Sequence, residues 1–152
     1  MPKLSAALAA LFLMISPAAA ETVSLLALGD SLTAGYGLQP SDAFPVKLEA
    51  ALKARGHDVK VINAGVAGDT ALDGYSRLDW ALSEDVDAVI VELGANDALR
   101  GLPVPQAEEA LDKLLARLGE KNLPVLLAGM RAPPNLGPEY QAAFDGMYPR
   151  LV

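Results

Sequence analysis

Strand-like segments alternate with helical segments along the chain, and this alternation limits its fold more than any other feature. The strand-like segments are Val23–Leu28, Asp58–Ile62, Ala88–Leu93 and Pro124–Ala128. Each is short, apolar or alternating, and is followed by a turn rich in Gly, Pro or Asn. This order is typical of a parallel sheet with right-handed crossovers and helices on both faces. We predict a three-layer α/β/α fold with a flavodoxin-like parallel sheet.

Apolar stripes mark the helices between these strands. A helix over 44–55 has Pro45 in its first turn and is stopped by Gly56. The other stripes are Leu72, Tyr75, Leu78 and Leu82; Ala107, Leu111, Leu114, Leu115 and Leu118; and Tyr140, Phe144, Met147, Tyr148 and Leu151. The last stripe runs almost to the final residue, so we expect the last strand and the terminal helix of the fold to be missing.

The first twenty residues are predicted to be a signal peptide. Lys3 supplies a positive start, Leu4–Ile15 an apolar core and Ala18–Ala20 a small-residue cleavage site. The core is too short to cross a bilayer, which needs roughly 20 apolar residues. An uncleaved interfacial helix is the alternative. We predict one domain over 21–152, a periplasmic or secreted location, and no stable membrane insertion after cleavage.

The charge and the absence of cysteine exclude several classes of function. The chain carries 12 Lys and Arg against 19 Asp and Glu, a net charge of −7. This acidity argues against nucleic acid or an anionic membrane surface as a partner. Because the sequence has no cysteine, it has no disulfide, thiolate metal site or cysteine nucleophile.

Polar and small residues follow three of the predicted strands. We call these the Ser31 turn (29–32), the Gly68 turn (65–70) and the Asn96 turn (94–97). Exits from parallel strands share one sheet edge, so the three turns are expected to converge. There the Ser31 hydroxyl can attack a carbonyl, while the N–H groups of Ser31 and Gly68 and the amide of Asn96 can bind the resulting oxyanion.

Three longer motifs contain these turns: Gly-Asp-Ser-Leu-Thr-Ala-Gly-Tyr-Gly from Gly29, Asn-Ala-Gly-Val-Ala-Gly-Asp-Thr from Asn63, and Val-Glu-Leu-Gly-Ala-Asn-Asp-Ala-Leu-Arg-Gly from Val91. Through them the chain resembles the G-D-S-L, or SGNH, hydrolases over 23–152. It is most similar to the secreted branch of arylesterases, acyl-CoA thioesterase I and lysophospholipase L1. A lone Gly-Asp-Ser-Leu is a weak signal, but three motifs in order are a strong one.

The resemblance implies a mechanism and its residues. Ser31 would be the nucleophile, and the Ser31 N–H, the Gly68 N–H and Asn96 would form the oxyanion hole. The loop at 98–103 would border the acyl site. The implied reaction is hydrolysis of a carboxylic ester, thioester or lysolipid, a small-molecule substrate, without metal or cofactor.

The general base is the open question. In the resembled family it is a histidine of an Asp-x-x-His motif near the C-terminus, and this sequence has only His57. His57 precedes the second strand, so we expect it roughly 17 to 20 Å from Ser31, too far for proton transfer. The chain as given is therefore predicted to be inactive. A truncated esterase is the favoured explanation, and a non-catalytic acyl-binding remnant is the alternative.

The acidic residues beside the three turns have structural explanations. Asp30 could be a phosphoacceptor, but no acidic partner for Mg²⁺ lies nearby in the sequence, and a bond within the Ser31 turn is favoured. Asp69 and Asp97 are expected to cap the helices that follow them.

The remaining candidates are expected to serve the fold. Glu92 and Arg100 could bind substrate, but a buried or loop-anchoring ion pair is favoured. Trp80 and Tyr75 fit the core face or the rim of a helix. Tyr36 follows the Ser31 turn and is a candidate to line the site.

Overall fold

A parallel sheet forms the centre of the molecule. The computed structural model describes residues 21–82 and 85–152, so the predicted signal peptide lies outside the described residues. The strands of the sheet are β1 (Val23–Gly29), β2 (Val59–Gly65), β3 (Ala88–Glu92) and β4 (Val125–Leu127). They are ordered β2-β1-β3-β4, and all neighbours are parallel. Since this is the flavodoxin-like order, the predicted α/β fold is confirmed.

The helices connect these strands. They are α1 (Ser31–Ala34), α2 (Phe44–Ala54), α3 (Ala71–Ser76), α4 (Leu78–Ala81), α5 (Ala95–Leu99), α6 (Val104–Glu120) and α7 (Pro138–Arg150). Short 3₁₀ helices lie at Pro40–Asp42 and Pro134–Leu136. No helix within 21–82 and 85–152 is both long enough and apolar enough to cross a membrane.

Two consecutive residues of β3 show how the helices divide between the sheet faces. Val91 is fully buried in a core that includes Leu111 of α6 and Phe144 of α7. Glu92 instead accepts a hydrogen bond from Thr33 of α1. Because consecutive strand residues point to opposite faces, α1 and α6 lie on opposite sides of the sheet. The helices thus form a layer on each face.

The stripes predicted for α6 and α7 are largely confirmed. The α6 residues that are fully or almost fully buried are Val104, Ala107, Ala110, Leu111, Leu114 and Leu118. In α7 the corresponding residues are Phe144, Met147 and Tyr148. Each large apolar side chain buried in this way contributes about 1.5–3 kcal/mol relative to exposure. These two helices therefore supply much of the apolar cover of one sheet face.

The stripe predicted between β2 and β3 is partly wrong. Leu72 is 59% exposed, whereas Leu78 is buried as predicted and Tyr75 and Leu82 pack against the core. The helix approaches the core so closely that a Cβ on Gly74 would lie 2.3 Å from Leu93 Cδ1. The buried residues of α3 are the small Ala71 and Gly74, and Leu72 faces outward. The segment also divides into α3 and α4 at Arg77, which ends the regular helical spacing.

Strand β2 extends beyond Ile62, where the alternating pattern of the sequence predicted its end. Residues 63–65 carry polar and small side chains typical of a turn, but they continue the ladder with β1. Gly29, the last residue of β1, pairs with Gly65 of β2 on one side and with Glu92 of β3 on the other. The three strands therefore end at the same level of the sheet.

Candidate active site

The three turns converge at the carboxyl edge of the sheet, as the sequence predicted. Each begins where β1, β2 or β3 ends, and those ends are paired in register. The Asn96 side chain then joins the turns directly, through the Asp30 carboxylate and the Asp69 carbonyl, and Arg100, which follows α5, bonds the Gly68 carbonyl. The site is thus built from segments that are distant in sequence but adjacent in the sheet.

The Ser31 turn is held by Asp30. Asp30 is fully buried and is the N-cap of α1, where its Oδ1 accepts the Leu32 N–H at 2.9 Å. Its predicted structural role is confirmed. Ser31 is the first residue of α1 and is half-buried. No described residue accepts its N–H or bonds its hydroxyl, so both groups are available to a ligand.

The Gly68 turn requires a glycine. Gly68 has a φ of 92°, in the left-handed region that favours glycine. Its carbonyl accepts a bond of 2.6 Å from Arg100 Nη2, and no described residue accepts its N–H. Thr70 then caps α3 in a reciprocal box with Asp73. The bonds from Thr70 lower the pKa of the Asp73 carboxyl. The turn thus presents a free N–H from a fixed backbone.

The Asn96 side chain joins all three turns. Asn96 lies in α5, and its Nδ2 donates to the Asp69 carbonyl at 2.9 Å and to Asp30 Oδ2 at 3.2 Å. One amide therefore connects the Gly68 turn to the residue that precedes Ser31. Both of its N–H groups are engaged within the network, and the bond to Asp30 is the longer one.

Asp69 and Asp97 do not cap the helices that follow them, which corrects the prediction. Asp69 Oδ2 accepts a bond of 2.6 Å from Arg77 Nε. Asp97 is buried, and its Oδ2 accepts the N–H of Ala71 at the start of α3, a helix that precedes it in sequence. Burial raises the pKa of the Asp97 carboxyl. These carboxylates link neighbouring segments because the sheet brings them together.

Glu92 and Arg100 each anchor a turn, but their described contacts are hydrogen bonds and not the predicted ion pair. Glu92 Oε2 accepts from Thr33 Oγ1 at 2.7 Å beneath the Ser31 turn. Glu92 Oε1 is buried without a described partner. Burial raises the pKa of Glu92, and the nearby Asp30 charge adds to this effect. Arg100 holds the Gly68 carbonyl, as described above.

His57 lies at the opposite end of the sheet from Ser31. It is exposed and borders a cavity of about 430 Å³ together with Val23, the first residue of β1. Ser31 follows the other end of that strand. A strand of this length spans about 20 Å, so His57 cannot exchange a proton with Ser31.

The aromatic side chains named in the sequence lie outside this network. Tyr75 is half-buried and packs against the core, as expected. Trp80 is 74% exposed, which excludes the core face and leaves the rim of the helix, the other position that the sequence predicted. Tyr36 is 79% exposed. Within 21–82 and 85–152, no group of three or more His, Asp or Glu side chains is arranged to hold a metal ion.

Sequence reasoning did not find Arg77, which contacts two of the turns from below. A single arginine within a helical stripe has no local signature of such a role. Thr33 was missed for the same reason, since its partner is on another strand.

The fold and the linked turns define an α/β protein with a Gly-Asp-Ser-Leu turn at the carboxyl edge of a parallel sheet, where such folds place their chemistry. The particular family follows from sequence. The chain belongs to the GDSL-like lipase/acylhydrolase family, which it matches over residues 27–151.

The relatives and structural neighbours of the chain include esterases. An arylesterase of Vibrio mimicus is 39% identical over 143 residues, covering 93% of this chain and 72% of the relative. Thioesterase 1/protease 1/lysophospholipase L1 of Escherichia coli K12 is 40% identical over 136 residues, covering 89% and 63%. The crystal structure of AlinE4, an SGNH-hydrolase family esterase, superposes with a TM-score of 0.84 at 48% identity, covering 86% and 71%.

Proposed function

We propose that this chain is a serine-esterase domain that forms an acyl-enzyme on Ser31. The observation that carries the proposal is the pair of bonds from Asn96 Nδ2 to Asp30 and Asp69. They join the Gly68 turn to the turn that presents the Ser31 hydroxyl. Arylesterase and thioesterase relatives support the same reaction class.

In the proposed reaction, Ser31 Oγ forms a bond to the acyl carbon of an ester or thioester while a general base takes the hydroxyl proton and the C=O π bond opens. The carbonyl oxygen becomes an oxyanion held by the free N–H groups of Ser31 and Gly68 and by Asn96. Asn96 would exchange its longer bond, the one to Asp30, for this contact. Each such donor typically contributes about 2.7–4 kcal/mol.

The oxyanion then collapses, the bond to the alcohol or thiol breaks, and the base gives its proton to the leaving group. Water attacks the acyl-enzyme in the same way and releases the acid. The sequence given contains no histidine that can serve as this base, since His57 lies at the other sheet edge. An Asp-x-x-His pair, as in the resembled family, would supply both proton transfers.

The proposed substrates are small carboxylic esters, thioesters or lysolipids, and no metal or cofactor is needed. We propose a periplasmic or secreted location because residues 1–20 have the composition of a signal peptide. The net charge of −7 disfavours nucleic acid as a partner.

The experiment that tests this proposal adds imidazole to the solution as the general base. The full chain is incubated with an alkyl fluorophosphonate, with and without imidazole, and the adduct is located by mass spectrometry. Ser31 Oγ forms the bond to phosphorus, fluoride leaves, and imidazole takes the proton. We expect slow labelling alone, clear acceleration by imidazole, and no adduct in Ser31→Ala.

His57→Gln is the matched control and should label at the wild-type rate. Labelling at another residue, or an unreactive Ser31 in imidazole, would contradict the proposal and favour the non-catalytic acyl-binding alternative. Brisk hydrolysis of an aryl ester without added base would show that the chain already contains one.

A further inference from the structure

We infer that Arg77 is a positioning residue that sets the Gly68 turn against the Ser31 turn, an inference that rests on the proposed function. Arg77 lies between α3 and α4, and its side chain is only 17% exposed. Its guanidinium reaches the edge of the sheet where β1 and β2 end. The Val66 N–H also joins the Gly68 turn to the Gly29 carbonyl, at 3.0 Å, but among the described hydrogen bonds no other side chain of the site contacts both strand ends and this turn.

Three bonds define the contact. Nη2 donates to the Gly29 carbonyl at 3.0 Å and to the Ala64 carbonyl at 2.9 Å, and Nε donates to Asp69 Oδ2 at 2.6 Å. Gly29 is separated from Ser31 only by Asp30, and Asp69 directly follows Gly68. One planar group therefore holds the backbone on both sides of the proposed oxyanion site, which a lysine ammonium could not do with the same geometry.

The electrostatic setting makes this contact strong. The Asp69 side chain is 12% exposed, so the Arg77–Asp69 pair is shielded from water on both sides. Removing one partner of such a pair leaves an uncompensated charge and displaces the other. Here the displaced partner would be the Gly68 turn itself.

The unpaired nitrogen of Arg77 is informative. Nη1 is buried without a described acceptor, which costs desolvation energy. An apolar side chain would avoid that cost but would release the three acceptors. The bonds by which Arg77 places the two turns account for a side chain that carries this desolvation cost.

The opposite side of the turn is fixed by Arg100 on the Gly68 carbonyl and by Asn96 on the Asp69 carbonyl. The turn is thus held by bonds from these two side chains, by the bond from Arg77 to Asp69 and by the backbone bond from Val66 to Gly29. Loss of Arg77 should let the Gly68 N–H move away from the oxyanion while the rest of the fold is retained.

The experiment measures imidazole-supported labelling of Ser31 in Arg77→Met and Asp69→Asn. We expect about a 10²-fold loss for Arg77→Met, the effect of a displacement of about 1 Å. Asp69→Asn keeps the shape of the side chain and should lose less. Because the two residues act through one contact, the loss in the double variant should be no greater than in Arg77→Met alone.

A purely stabilising role would leave the labelling rate of the folded variants unchanged. Guanidinium ions at millimolar concentration should restore part of the labelling in Arg77→Ala, and Arg77→Met should shift the amide resonance of Gly68. Arg117→Met is the matched control, since Arg117 bonds the exposed side chains of Asp79 and Glu120 on the surface.

The outcomes separate the two claims. If wild-type Ser31 is not labelled in imidazole, the proposed function fails and the inference falls with it. If the wild type is labelled, and the folded variants Arg77→Met and Asp69→Asn are labelled at the wild-type rate, the inference alone is overturned. Should Arg77→Met fail to fold, Asp69→Asn decides the question.

Discussion

The side-chain amide of Asn96 donates a 3.2 Å hydrogen bond to the buried carboxylate of Asp30, across the ends of two neighbouring strands. The same nitrogen bonds the Asp69 carbonyl at 2.9 Å. A residue of the third turn therefore helps to fix the positions of the first two. This dependence leads to the first prediction.

Asn96→Ala should weaken both the fold and the reactivity of Ser31. It removes a partner from the buried Asp30, which should lower the free energy of unfolding by about 1–3 kcal/mol. Loss of an oxyanion donor should slow imidazole-supported labelling about 10²–10³-fold. Urea denaturation and mass spectrometry measure the two effects. Asn135→Ala, at an exposed position, is the control, and equal labelling in both variants would refute the role of Asn96.

Gly68→Ala should cost stability through its backbone and slow labelling through the displaced N–H. Its φ is 92°, and the nearest described atom to a new Cβ is Arg100 Nη2 at 3.6 Å, so there is room for the methyl group. Gly56→Ala is a matched control, with a φ of 86° and open space at the far end of the sheet. Both should lose about 1–2 kcal/mol.

Only Gly68→Ala should reduce the labelling of Ser31, by about 10²-fold. Denaturation and labelling of the two variants side by side separate strain from position. Equal losses of Ser31 labelling in Gly68→Ala and Gly56→Ala would show that backbone strain alone is responsible.

Glu92→Gln should become more stable relative to the wild type as the pH rises. Burial raises the pKa of folded Glu92, so the protonated form is favoured in the fold. The corresponding stability is present below the unfolded value, near 4.5, and is lost as the pH rises through the folded value. Urea denaturation at pH 4 and pH 7 measures the change.

Glu108→Gln is a control in which the stability relative to the wild type should change in the opposite direction as the pH rises. The hydrogen bond from Arg150 lowers the pKa of Glu108, so that group stabilises the fold above its unfolded pKa. Glu108→Gln should thus lose stability relative to the wild type between pH 4 and pH 7. The same sign of change in both variants would contradict the assignment for Glu92.

Tyr148→Phe should lower the free energy of unfolding by about 1–3 kcal/mol at neutral pH, because it leaves the Leu93 carbonyl without its bond of 2.9 Å. Burial raises the pKa of the Tyr148 phenol. The unfolded phenol ionises near 10, so the wild type should lose stability above that pH. The difference between the two proteins should then shrink.

Denaturation between pH 8 and pH 11 tests this prediction. Tyr36→Phe, at a side chain that is 79% exposed, should follow the wild type throughout. A constant difference between Tyr148→Phe and the wild type up to pH 11 would be inconsistent with a buried neutral phenol.

The sequence predicted the elements well where local spacing decides burial. The stripe of Leu111, Leu114 and Leu118 is buried as expected, since a continuous helix presents residues at that spacing to one side. It failed at Leu72, because the buried side of α3 is formed by Ala71 and Gly74, with Gly74 against Leu93. The distance between α3 and Leu93 depends on how the helix packs on the sheet, and the spacing of apolar residues in the helix does not predict it.

The candidate site divides in the same way. The positions of Ser31, Gly68 and Asn96 after three strands were predictable, since parallel strands end at one edge. The partners of Asp69 and Asp97 were not predictable, because they come from segments that only the strand register brings near.

By itself, the sequence determined the alternation of strands and helices, the three motifs at the strand ends and the remoteness of its single histidine from Ser31. These follow from local periodicity and from the handedness of the connections. The tertiary structure alone decided that Asn96 reaches Asp30 and that Arg77 bonds Gly29, Ala64 and Asp69. Hydrogen bonds depend on tenths of an ångström and on orientation, and only the packed register of the sheet sets those.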